Sequence, residues 1–260
     1  EFDLGGDISQ LSSNEFYDDK EHKGVDIIVT NGFDNITNYL AEGLDIRYNE
    51  RVAKVDYTSD SMVLVTSTSG TYEASAVLVT VPLGVLKSGN FQFSPELTKE
   101  KKEALDDLDM GTVNKFMLVW DTAFWNVDLQ YIGYTPETKG AFNVFLNVNK
   151  YSNFNALMTF TFGEYSKDAE DLSDAEVTEL VMNNLKTIYG NDIPNPKEML
   201  RTKWNANENA LGCYSYVQQG GESNAYNVLA KSIDDRIYFA GEHTSFDYRG
   251  TVHGAYVSGV

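Results

Sequence analysis

Three observations predict an α/β chain of the mixed α+β kind, folded as two interleaved domains. Runs rich in β-branched and aromatic residues cluster at 25–82, 112–162 and 199–240. Stretches with helical spacing of apolar residues separate them, and no repeat or low-complexity linker marks a clean border. The apolar fraction is 42% of 260 residues, with 14 Phe, 16 Tyr and 3 Trp, which suffices for a core.

The first 23 residues are polar and acidic and carry little pattern. After Gly24, "VDIIV" predicts a short strand and "NGF" a turn into the helix "DNITNYLAEG", with Asp34 as N-cap and Gly43 as stop. "LDIRYN", "RVAKVDYT", "SMVLVTST" and "TYEASAVLVTV" predict strands, the last two joined by a hairpin turn at Ser69-Gly70. Pro82, in "VPLGV", breaks this run because proline cannot donate to a ladder. Leu97, Lys101, Ala104, Leu105 and Leu108 share one face of a predicted helix in "ELTKEKKEALDDL".

"NKFMLVW", "GAFNVFLNV" and "ALMTFTF" predict strands. Ser173 and Glu176 form a capping box opening a helix that carries Val177, Leu180, Val181, Leu185 and Ile188. "MLRTKW" predicts a further strand and "GCYSYVQQGG" a loop. "RIYFAG" predicts a buried strand feeding a turn and a last helix that opens near Thr251.

The formal net charge is −19, from 39 acidic and 20 basic residues. Such a surface disfavours direct binding to a nucleic-acid backbone and suits a cationic ligand. No apolar run approaches the roughly 18–20 residues of a membrane span. Cys213 is the single cysteine, so no intrachain disulfide or thiolate zinc cluster is expected. One cysteine fits reducing compartments such as the cytoplasm or peroxisome without fixing one, and no oligomeric state follows. His22, His243 and His253 are the only histidines. His243 and His253 with Glu242 make a weak metal-ligand pattern, and no metal is expected. HExxH, GxSxG, GxxxxGK[ST] and GxGxxG are all absent.

The C-terminal strand–turn–helix is more informative. A strand ending at Gly241 before a helix near Thr251 presents unpaired N–H groups at one point, which favours negative charge there. Gly254, Ala255, Ser258 and Gly259 give that helix a face almost without bulk. Either a flat ligand or another backbone must approach it closely.

"RIYFAGEHTSFDYRGTVHGAYVSG" resembles the C-terminal flavin-binding motif of the FAD-dependent amine oxidases. "VTNGFDNITNYLAEGLDIRYNERVAKVDY" and "VLVTVPLGVLKSGNFQFSPELTKEKKEALDDLDMGTVNKF" resemble the family's middle section. "TKWNANENALGCYSYVQQGG" resembles the segment that covers the flavin face. The resemblance runs from about residue 24 to the end. It implies a substrate-domain tail at 1–23, FAD-binding segments at 24–88 and 204–260, and a substrate-binding domain at 89–203.

By the same resemblance, Glu242 in the turn after Gly241 serves the cofactor's ribose and phosphate region. Val52 matches a contact on the adenine side, and Pro82 belongs to the cofactor-binding set. Thr251 and Val252 match positions where the last helix meets the isoalloxazine ring. Lys115 matches the lysine that holds a water near flavin N5, and is the catalytic candidate. Trp204 and Tyr214 match aromatics lining the flavin and substrate cavity, with Thr251 opposite Tyr214.

Cys213 stands where some members bond the flavin covalently. A thioether there is an open alternative to non-covalent FAD. The implied reaction oxidises an amine C–H to an imine and reduces O2 to H2O2, with polyamines as the expected substrates. The alternatives are a histone-demethylase-like enzyme and a non-catalytic binding module. The family's N-terminal glycine-rich unit is missing, so the chain is expected to be a fragment that is inactive alone and binds FAD weakly.

Overall fold

A computed structural model describes residues 4–16, 18–20, 24 and 27–260, and the chain divides between two units. One is formed by Ser12–Asp109 with Gly220–Val260, the other by Glu1–Leu11 with Met110–Gln219. They are called below the four-stranded and the five-stranded unit.

The four-stranded unit opens with α1 (Asp34–Ala41). Asp34 is its first residue rather than its N-cap: Phe33 holds that position and makes no side-chain cap. No residue of α1 is buried. The expected strand "VDIIV" is not formed in its described part: Ile27–Val29 join no described strand, and Ile27 is 81% exposed. Val25 and Asp26 lie outside the described residues. "LDIRYN" is likewise no strand, with Leu44 and Tyr48 exposed. Both runs have strand propensity, but propensity without a partner ladder does not make a strand.

β1 (Val52–Asp56), β2 (Val63–Ser67) and β3 (Thr71–Ala74) follow as an antiparallel meander, with the β2–β3 turn at Ser69-Gly70. β4 (Val77–Val79) leaves this sheet, so "TYEASAVLVTV" is two strands in two sheets. Then come α2 (Leu83–Lys87), β5 (Gln92–Ser94) and α3 (Lys99–Asp107). β5 pairs in parallel with β1, giving the order β3-β2-β1-β5. That pairing ties the chain after residue 88 to this unit.

β6 (Leu108–Met110) leads into the five-stranded unit. There β7 (Val113–Val119), β8 (Tyr131–Gly133), β9 (Ala141–Asn147), β10 (Ala156–Phe162) and β11 (Glu198–Arg201) form one antiparallel sheet, ordered β11-β7-β10-β9-β8. α4 (Gly163–Asp171) follows β10; the sequence reading assigned it no element. α5 (Asp174–Tyr189) carries the expected capping box: Ser173 accepts from Glu176 N, and Glu176 accepts from Ser173 N. Such a cap contributes about 1 kcal/mol.

α5 buries Val177, Val181, Met182 and Leu185 in a core with Phe116, Leu118, Phe142, Phe145 and Leu157. Phe116 and Phe142 meet edge-on at 5.1 Å, the geometry aromatic quadrupoles favour. β12 (Ser215–Val217) lies within the segment expected to be loop.

The chain then re-enters the four-stranded unit with α6 (Ala225–Ala230), which the sequence reading also missed. β13 (Ile237–Phe239) pairs in parallel with β4, and α7 (Val252–Ser258) ends the chain's helices. Val55, Tyr57, Val63, Val79, Phe91, Ile237 and Phe239 form the core. Lys101 is buried on the expected face of α3. Its ammonium donates to Val228 O (3.0 Å) and Leu229 O (2.8 Å) near the carboxyl end of α6, and lies 4.1 Å from the Phe239 ring centre. Burial still pulls its pKa down to about 8.

Candidate functional site

The ten residues singled out from the sequence divide between the units, and each group is held differently. In the four-stranded unit, β4 and β13 run parallel and side by side, and Ala240 N donates to Val79 O (3.0 Å). Just past their carboxyl ends stand Pro82 and Gly241. Pro82 caps α2, its carbonyl accepting from Val85 N and Leu86 N. Gly241 precedes a 3₁₀ turn over Glu242–Thr244. The carboxyl ends of parallel strands are where open α/β sheets commonly take ligands.

Gly241 has φ 140°, and a Cβ there would lie 2.5 Å from His243 Cε1. Glycine is therefore required by the imidazole packed beneath it. Burial pushes the His243 pKa down to about 4, so this ring is neutral at ordinary pH. Glu242 Oε2 accepts from Gly250 N at 2.7 Å, closing the loop between the turn and α7. The carboxylate thus has a backbone role that the sequence reading did not foresee.

The last helix opens near Thr251, as expected, and Thr251 is its N-cap. Its hydroxyl accepts from Gly254 N (2.9 Å) and donates to Tyr248 O (2.6 Å). Gly254 is buried, and a Cβ there would meet Tyr248 O at 1.9 Å. The small-residue face therefore admits another backbone at that position. Gly259 lies beyond the helix and has only ordinary space around it. Ser258 accepts from Gly241 N at 2.8 Å, which joins the turn to the helix. Val252 is 62% exposed at the start of α7. Val52, at the start of β1, flanks the same core but belongs to the other sheet.

Sequence reasoning missed Arg249. It is 6% exposed, pairs with Asp18 and with Asp19 (3.7 Å), and donates to Glu15 O (3.1 Å). Glu15 also accepts from the Ser223 hydroxyl, and Lys20 pairs with Asp247 at 2.7 Å. These bonds hold Glu15, Asp18, Asp19 and Lys20 within this unit. No sequence signal paired partners more than 200 residues apart.

In the five-stranded unit, Lys115 lies exposed on β7, between buried Asn114 and Phe116. Its N–H donates to Thr202 Oγ1 (2.9 Å), and its carbonyl accepts from Thr202 N (3.0 Å). Trp204 N donates to Asn114 Oδ1 (3.1 Å), and Trp204 O accepts from Gly212 N (3.0 Å). Cys213 N donates to Gly111 O (2.8 Å), and Gly111 N donates to Tyr214 O (2.8 Å). One stretch of chain, 111–115, thereby gathers Lys115, Trp204, Cys213 and Tyr214, Trp204 through the Asn114 side chain. The Cys213 thiol also donates to Gly111 O at 3.1 Å, and a Cβ on Gly5 would lie 3.3 Å from its sulfur.

A groove of about 570 Å³ along α5 and β11 and one of about 550 Å³ beside β5 are lined by none of the ten residues. Among the described residues no three His, Cys, Asp or Glu side chains gather to hold a metal. No described helix is long and apolar enough to cross a membrane.

A family model described as "Flavin containing amine oxidoreductase" matches residues 4–260. The chain is 38% identical to "Polyamine oxidase 4" of Oryza sativa subsp. japonica, covering 99% of this chain and 52% of that protein. It is 37% identical to "Probable polyamine oxidase 4" of Arabidopsis thaliana, covering 90% and 46%. It is 34% identical to human "Lysine-specific histone demethylase 2", covering 100% and 33%. Among solved structures, a putrescine oxidase bound to putrescine matches with a TM-score of 0.75 at 22% identity, covering 88% of this chain and 51% of that one. The fold is thus shared with that enzyme. The chain spans about half the length of the polyamine oxidases it matches.

Proposed function

The chain belongs to the flavin-containing amine oxidoreductase family, and from that premise we propose that it forms part of an FAD-dependent polyamine oxidase. The observation that carries this reading is the Gly241–Glu242 turn at the end of β13, bonded to both ends of the Gly250–Ser258 segment.

These residues fit a flavin nucleotide. Two parallel strands end side by side, each followed by a helical turn whose first N–H groups favour an anionic group. When bound, the flavin supplies the two-electron acceptor for oxidation of an amine C–H to an imine, with O2 reduced to H2O2. Pro82, Gly241 and Glu242 hold the cofactor's ribose–phosphate arm, and Val52 its adenine side. Thr251 has its hydroxyl engaged in the α7 cap, so it offers its methyl group to the ring system. Val252 adds an exposed apolar side chain beside it.

Lys115 is the catalytic candidate, and its exposed ammonium holds a water. Trp204 and Tyr214 give the aromatic walls that suit an alkylamine through apolar contact and cation–π attraction. Cys213 directs its thiol into the Gly111 carbonyl, which supports non-covalent flavin. The surplus of acidic residues accords with a polycationic substrate.

The test uses the full-length protein with spermine, spermidine and a dimethyl-lysine histone peptide. Release of H2O2 with the polyamines is expected. Release with the peptide alone moves the reading to a demethylase, which relatives at 34% identity make the natural second candidate. A flavin-loaded protein inert to all three overturns oxidation of these amines. Acid precipitation should free the flavin; flavin retained on the peptide containing Cys213 overturns non-covalent binding.

A further inference from the structure

Two buried polar side chains lie behind Lys115 and Trp204, on neither of which any role has yet fallen. Asn114 is fully buried and Glu170 is 5% exposed. They meet directly: Asn114 Nδ2 donates to Glu170 Oε1 at 2.7 Å. Asn114 Nδ2 also donates to Ser166 Oγ (3.1 Å), while the oxygens of both side chains face residues 202–206. Glu170 Oε1 accepts from Asn205 N (2.9 Å) and Oε2 from Ala206 N (2.7 Å). Asn114 Oδ1 accepts from Trp204 N (3.1 Å) and Thr202 Oγ1 (2.9 Å).

Two cations pin the same stretch to the carboxyl end of α4. Lys203 Nζ donates to Glu170 O (2.5 Å), and Arg201 donates to Ala169 O (3.0 Å) and Leu172 O (2.6 Å). The side chains of residues 203–206 are exposed all the same. A segment with exposed side chains and a main chain held from below is one whose position, rather than its burial, is specified.

We propose that Asn114 and Glu170 are a positioning pair that sets Trp204 against Lys115 for amine oxidation. The inference rests on the function proposed above. Asn114 adjoins Lys115 on β7, so one rigid strand carries both the candidate catalytic side chain and the acceptor that locates the Trp204 amide. Glu170 locates the next two amides, Asn205 and Ala206. A buried carboxylate receiving main-chain N–H bonds is a stronger and more directional anchor than a neutral acceptor. Displacement of a wall residue by about 1 Å is enough to cost on the order of 100-fold in rate.

Glu170→Gln is nearly isosteric but turns an N–H₂ group toward one of the three donors. In the flavin-loaded full-length protein it should lower kcat for the amine about tenfold while KM moves less. It should also raise the iodide quenching of Trp204 fluorescence, isolated by difference from Trp204→Phe. Trp120 and Trp125 are 3% and 5% exposed and contribute little to that signal. The swap N114D/E170Q restores a donor–acceptor match between the two positions and should return both readouts part of the way.

Wild-type kcat and quenching in E170Q would overturn the proposal, as would a loss that the swap leaves unchanged. Should E170Q fail to fold, hydrogen exchange in the wild type decides. Slow exchange at Asn205 and Ala206 supports the anchor, and rates of unprotected loop amides overturn it. If the wild type oxidises no amine, the functional reading fails, while quenching and exchange still judge the pair itself.

Discussion

The two units hold their candidate residues by opposite means. In the five-stranded unit, side chains that are themselves buried do the holding. Asn114 and Glu170 reach the main chain around Trp204, while Phe116 and Leu118 on the same strand face fill the core. In the four-stranded unit, missing side chains do it. Gly241 yields to the His243 ring and Gly254 to the Tyr248 carbonyl, and loop amides and hydroxyls close the remaining gaps. One region should therefore break when atoms are removed and the other when atoms are added.

Phe116→Ala gives the largest expected effect. The ring is 1% exposed and packs edge-on against Phe142, so truncation should cost about 3–5 kcal/mol in denaturant unfolding. Gly254→Ala comes next. Its methyl would overlap the Tyr248 carbonyl oxygen at 1.9 Å, and a loss of about 3 kcal/mol is expected. Gly259→Ala is the control: its nearest neighbour would be 3.6 Å away, and the change should stay within about 0.5 kcal/mol. Equal losses at the two glycines would undo the claim that close approach of the Tyr248 carbonyl is what requires glycine at 254.

The third prediction is a pH dependence confined to the four-stranded unit. His243 keeps its neutral form down to about pH 4, whereas the unfolded imidazole takes up a proton near 6.5. The unfolded state then binds more protons in this window. Stability should fall as pH drops from 6.5 to 4, by up to about 3 kcal/mol from this residue. His243→Gln should flatten that part of the curve when both proteins are followed by denaturant titration. A parallel pair of curves would show that the ring is solvated.

The smallest effect has the opposite sign. Thr159, in β10, is fully buried and its hydroxyl has no hydrogen-bond partner among the described residues. Thr159→Val should raise stability by about 1 kcal/mol, since it removes an unpaired polar group at constant shape. A loss on thermal unfolding would mean that the hydroxyl is satisfied.

Legibility in the sequence followed the range of the interaction. The Ser173 capping box, the opening of the last helix near Thr251, the strands around 113–162 and the buried face of α3 depend on neighbours within a few residues. Local pattern sufficed for each. The runs at 27–29 and 44–49 read as strands for the same local reasons and are not, because no described strand lies against them. α4 escaped notice because its sequence, "GEYSKDAED", is almost wholly polar; its place is set by Arg201 and Lys203, some 30 residues on.

Of the candidate site, the residue types and the turn at Gly241 were readable, and the partners were not. Asn114 carried a signal that went unused. Strand alternation with Phe116 and Leu118 puts it on the buried face, where an amide must find partners. Nothing comparable pointed to Arg249, whose acidic partners lie at residues 18 and 19.

By itself the sequence determined the class of fold, the family, and most elements whose hydrogen bonds close locally. Only the tertiary structure decided which strands share a sheet, where the units divide, and which partners the small and polar residues meet. Glu242 closes onto Gly250, Gly254 makes room for a carbonyl, and Cys213 bonds to Gly111. The physical reason is that propensity and periodicity are properties of one segment. A buried hydrogen bond or a close backbone approach is a property of two segments, and it exists only once both are in place.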